Sequence, residues 1–85
     1  MNKYRADVTV LPKEGVLDIQ GKAVERTLRS HGYDAVSGVR VGRFIRFDVE
    51  ALDESAAGDV VRSAADDLLA NDLIESYSFT LETLR

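Results

Sequence analysis

The sequence predicts an α+β domain with the element order β-α-β-β-α-β. Three observations support it. Apolar and polar residues alternate at period two near the start, in the middle and at the end of the chain. Two intervening stretches repeat apolar residues at helical spacing. Pro12, Gly15, Gly32 and Gly42 fall at the junctions.

Lys3 to Leu11 places Tyr4, Ala6, Val8 and Val10 on one face, with Lys3, Arg5, Asp7 and Thr9 on the other. That alternation is a half-buried strand, and Pro12 and Gly15 end it. Asp18 suits the N-cap of a helix reaching about His31, because its carboxylate can accept from free backbone N–H groups. Val24 and Leu28 share one face, while Lys22, Glu25, Arg26 and Arg29 fill the outer side. Gly32 fits the stop position.

Val36 to Ala51 reads as two strands. Val39 and Val41 flank Arg40; Ile45, Phe47 and Val49 alternate with Arg46, Asp48 and Glu50. Gly42 marks a tight hairpin turn that needs a left-handed residue. A second helix opens at Ser55 and runs to about Ala70, with Ala57, Val61, Ala64 and Leu68 inward. Asp53, Glu54 and Asp59 near its start suit the helix dipole. A last strand, about Ile74 to Glu82, alternates Tyr77, Phe79 and Leu81 with Ser76, Ser78 and Thr80. The expected architecture is two-layer and ferredoxin-like. A four-stranded antiparallel sheet carries two helices on one face.

Composition narrows the function. The chain has 85 residues, 45% of them hydrophobic, and a net charge of −4. That is one small domain with a thin core. There is no cysteine, so disulfides, thiolate metal sites and cysteine nucleophiles are excluded. No signal-like or membrane-spanning apolar run is present, and a cytoplasmic location is expected. Net negative charge opposes nucleic-acid binding, which rests on phosphate neutralisation.

Catalytic and cofactor constellations are missing from the pattern. His31 is the sole histidine, and adjacent Ser30 points about 100° away on a helix. Gly15 to Ala23 is only superficially like a phosphate loop. Five residues separate its glycines where four are needed, and Ala23 replaces the magnesium-binding hydroxyl. The expectation is no catalytic, metal or cofactor-binding residue. Arg40, Arg43 and Arg46 cluster around Phe44, whose parity sets it opposite Ile45 and Phe47. Three readings stay open for this cluster: a protein interface, a stacking platform for RNA, or one exposed aromatic.

Three segments then carry a resemblance. GVLDIQGKAVERTLRSHGY, VRVGRFIRF and LLANDLIESY, in that order, resemble the PurS family. PurS is the small subunit of phosphoribosylformylglycinamidine synthase. The resemblance covers essentially the whole chain, with Ile19 where proline is frequent. It implies a non-catalytic assembly subunit of de novo purine biosynthesis, a homodimer or a tetramer. Its partners would be the large synthetase subunit PurL and the glutaminase subunit PurQ, and it would assist ammonia transfer. The complex would use ATP, magnesium and glutamine; the chain would bind none of them. A different class remains as the alternative: a free-standing metabolite-binding regulatory domain.

Two contact sites are expected. The first is Leu17, Asp18, Gln20, Gly21 and Lys22, where Gly21 in a helix costs about 1 kcal/mol relative to alanine. Close approach of a partner backbone, or plain tolerance, would account for it. The second is Arg40, Gly42, Arg43 and Phe44, with Gly42 serving the turn. Arg43→Glu and Phe44→Ala are expected to weaken assembly and leave the fold intact.

Overall fold

A computed structural model describes all residues 1–85. The elements are β1 (Asn2–Pro12), α1 (Ile19–Ser30), β2 (Arg43–Ala51), α2 (Glu54–Ala64) and β3 (Glu75–Leu84). Helix α2 ends in one π-helical turn, Ala65–Leu69, closed by the Ala70 N–H donating to the Ala65 carbonyl at 3.0 Å. The sheet has three antiparallel strands in the order β2-β1-β3. Central β1 pairs Asn2 with Ala51 through Val10 with Arg43 on one side. It pairs Lys3 with Leu84 through Pro12 with Glu75 on the other.

The expected four-stranded sheet is thus corrected to three strands. Residues 36–42 form no strand, despite their alternating valines. Gly38 is left-handed, with φ 65°. Two N–H groups that a fourth strand would offer are already taken: Val41 donates to Asp18 and Val39 to Glu25. Gly42 is not a left-handed turn residue either, since the positive-φ glycines are Gly15, Gly32 and Gly38. Gly42 is required for another reason. A Cβ there would run into the Val10 carbonyl of β1.

The core lies between the inner sheet face and α2. Tyr4, Ala6, Val8 and Val10 of β1 are buried, with Val49 and Ala51 of β2. Ala57, Val61 and Ala65 recur every fourth residue and are wholly buried against them. Helix α2 begins one residue before Ser55 and is capped by Asp53, whose carboxylate accepts from the Ala56 N–H at 2.8 Å.

The expectation that both helices cover the sheet also fails. Only α2 packs on it. Gly21 is the one buried residue of α1, and Ile19 and Val24 stay exposed. The helix is tied instead to the 37–41 segment by the carboxylates of Asp18 and Glu25. The result is an elongated body of 51 × 28 × 14 Å.

Candidate functional site

Asp18 organises the end of the molecule where α1 begins. One carboxylate oxygen accepts from the Gly21 N–H at 2.8 Å and caps the helix. The other accepts from the Val41 N–H at 2.9 Å. Both N–H donors favour the charged form, so the carboxyl is held below the usual aspartate range by the Gly21 bond first and the Val41 bond second. Gly21 is buried beneath this bridge, where a Cβ would collide with Asp18 and the Val39 carbonyl. The close approach that explains this glycine comes from the chain itself.

Arg43 opens β2 and reaches across the end of the sheet. Its guanidinium meets both Glu75 oxygens, at 2.9 and 3.1 Å, and donates to the Leu69 carbonyl at 2.7 Å. Glu75 also accepts from the Asn71 N–H at 2.8 Å. The Arg43 pair, and after it the Asn71 bond, lowers the Glu75 carboxyl from its ordinary value. Arg43 therefore clasps the π turn and the start of β3 to β2. Arg40 lies nearby and donates to the Pro12 carbonyl at 3.2 Å.

Five of the residues expected at contact sites meet in one open groove of about 380 Å³: Leu17, Asp18, Gln20, Gly42 and Arg43. Exposed Leu17 and Ile19 supply its apolar edge, with half-exposed Ile74 opposite. Asp18 is also part of a neighbouring cleft of about 350 Å³, which takes in Lys22 and Arg40. Two segments read separately from sequence are thus one surface. Gly21 lies beneath it.

Phe44 does not join them. It stands on the outer sheet face, opposite Thr9, and is 61% exposed. The Arg46 guanidinium covers its ring at 5.7 Å. Arg46 in turn makes a two-bond pair with Asp7, at 2.7 and 3.1 Å, directly across the ladder. That pair lowers the Asp7 carboxyl. Next along the same face, Arg5 meets Asp48 at 3.2 Å. The outer face is a ladder of opposed charges, and Phe44 is its single large aromatic.

The geometry is that of a surface that ties segments together and presents a groove. No set of three His, Cys, Asp or Glu side chains is arranged to hold a metal ion. The family profile "PurS: Phosphoribosylformylglycinamidine (FGAM) synthase" matches residues 5–83. This chain belongs to the PurS family.

A curated family member, the phosphoribosylformylglycinamidine synthase subunit PurS of Synechocystis sp., is 40% identical over 83 residues, covering 98% of this chain and 83% of the relative. The solved PurS of Thermus thermophilus superposes with a TM-score of 0.85 at 33% identity, covering 98% of this chain and 99% of that one. A chain in the structure of PurLQS from Thermotoga maritima superposes at 0.84 with 30% identity, covering 99% and 100%.

Two contributors to the PurS-like surface were not read from sequence. Glu75 was visible inside the LLANDLIESY segment, but nothing local linked it to Arg43, 32 positions away. Glu25 looked like one more outward charge on α1, yet it accepts from the Val39 N–H at 3.1 Å.

Proposed function

We propose that the chain is the small, non-catalytic subunit of a phosphoribosylformylglycinamidine synthase, and that it holds a glutaminase subunit and a synthetase subunit in one assembly. The observation that carries this is the whole-length match to a chain of PurLQS from Thermotoga maritima, 99% of one chain on 100% of the other. By this reading the partners are PurQ, which releases ammonia from glutamine, and PurL, which uses ATP and magnesium. Together they convert formylglycinamide ribonucleotide to the formylglycinamidine ribonucleotide in the cytoplasm. The present chain supplies the join and assists ammonia transfer.

Self-association is part of the reading. Helix α1 leaves Ile19 and Val24 exposed, and the body is long and thin. A second copy covering α1 would give this small domain the burial its own core lacks. We assign a homodimer as the basic unit.

The test is reconstitution. The chain is mixed with the synthetase and glutaminase proteins of its organism, with ATP, magnesium, glutamine and the ribonucleotide. Glutamine-dependent product formation that needs all three proteins is the expected result. Equal activity without the chain would sink the proposal. Sedimentation of the free chain tests the dimer, and a 9.4 kDa species at all concentrations would refute it.

A further inference from the structure

The charge of this chain is unevenly distributed. Residues 13–43 carry six basic side chains against four acidic ones. Residues 48–85 carry two basic side chains against ten. Within an acidic protein, the α1 arm is locally positive.

The positive charge has a focus. The cleft of about 350 Å³ between the β1–α1 loop, α1 and the 37–41 segment is lined by Lys13, Lys22 and Arg40. Five of the chain's arginines are in ion pairs, namely Arg5, Arg29, Arg43, Arg46 and Arg62. None of the three cleft cations is. The Lys13 ammonium donates only to the Asp72 carbonyl, and the Arg40 guanidinium only to the Pro12 carbonyl. The carboxylates in the cleft wall are mostly committed elsewhere. Asp18 accepts from two backbone N–H groups. Glu25 accepts from the Val39 N–H and faces Arg29 at 3.8 Å. Glu14 alone is uncommitted.

We infer that this cleft is the docking point for an acidic segment of a partner protein in the assembly, whose carboxylates pair with Lys13, Lys22 and Arg40. A protein segment suits the site better than a small anion. The cations are exposed and spread over three segments, and single exposed pairs are weak. Several such pairs made together across an interface give steering and partner choice. The cleft also offers no aromatic surface on which a nucleotide base could stack. The inference rests on the assembly reading and adds to it the chemistry of one contact.

The experiment measures association of the full chain with the synthetase and glutaminase proteins of its organism at two salt concentrations. The wild-type chain is compared with Lys22→Glu, with Lys22→Glu/Arg40→Glu, and with Arg85→Glu, a charge reversal outside the cleft. We expect the double variant to weaken association by tenfold or more, with the single variant intermediate. Arg85→Glu should match wild type, and wild-type affinity should fall as salt rises. Circular dichroism and thermal melts confirm that each variant is folded.

Wild-type association with salt-independent, undiminished binding of the double variant overturns the inference and leaves the assembly reading standing. Failure of the wild-type chain to associate overturns both. Two further results would also overturn it. One is tight, saturable binding of inorganic pyrophosphate by the free chain, abolished by Lys22→Glu. The other is a change in the free chain's own oligomeric state in the double variant.

Discussion

Gly21→Ala and Gly58→Ala are the same substitution in two helices, and they should move stability in opposite directions. Helix propensity alone favours alanine over glycine by about 1 kcal/mol at either site. At Gly58 the new Cβ meets only the Arg62 side chain, 3.4 Å away, which can shift. That variant should gain about 0.5–1 kcal/mol. At Gly21 the new Cβ would lie 2.8 Å from Asp18 Cγ and closer still to the Val39 carbonyl. One of these atoms is backbone, and the other bridges α1 to Val41. Overpacking of this kind costs about 1–3 kcal/mol, and a rigid neighbour argues for the upper end. Setting the propensity gain against it leaves Gly21→Ala about 2 kcal/mol less stable. In a domain this size, each kcal/mol moves the melting temperature by about 4–8 °C. Melting should therefore fall by more than 8 °C on that scale, or the arm should detach alone. Detachment would appear as faster amide exchange at Val39 and Val41. A melting point raised by Gly21→Ala, with those amides equally protected, would refute the argument.

Other consequences follow from the same geometry. The Asp18 carboxyl is lowered in the folded chain, so its stabilising contribution is complete above the ordinary aspartate value near 3.9. It is lost as pH falls below that value toward the folded one. Asp18→Asn should lower the melting temperature at pH 7 and flatten its acid dependence; acid curves that superpose would contradict this. Arg43→Glu would set a carboxylate against Glu75 and undo the clasp, so it should destabilise the fold as well as the surface. Phe44→Ala, at an exposed position, should leave melting within about 4 °C; pull-downs with the proposed synthetase and glutaminase partners then report on the outer face alone. Val61→Ala removes two buried carbons from the α2–sheet contact and should cost about 2–3 kcal/mol by urea titration.

Much of the fold was legible because local chemistry and tertiary demand agree there. The Asp18 cap, the Gly32 stop and the alternation of β1 and β3 each report a preference that packing reinforces. The 36–42 segment shows where that agreement ends. Its valines alternate as a strand would, but its N–H groups go to Asp18 and Glu25, which lie 23 and 14 positions earlier. Periodicity records which side chains share a face and carries no information about where the backbone finds its partners. Gly42 shows the same limit. A glycine between two β-like runs suggests a turn, whereas here it is needed because the Val10 carbonyl passes too close for a side chain. For the surface, the residues were legible and their roles were not. Arg43 was visible as an exposed cation, but the carboxylate that claims it is 32 residues later.

Helix α1 stands off the sheet, and this has a consequence for turnover. Its twelve residues are held by two carboxylate bridges and little apolar contact, so they can open without disturbing the core under α2. In a chain without partners, α1 is the segment that a protease reaches first. Once covered, it is closed to cleavage. With a second copy as the cover, unpaired chains would be cleared sooner than paired ones, so the surviving amount of this subunit would rise more steeply than its synthesis.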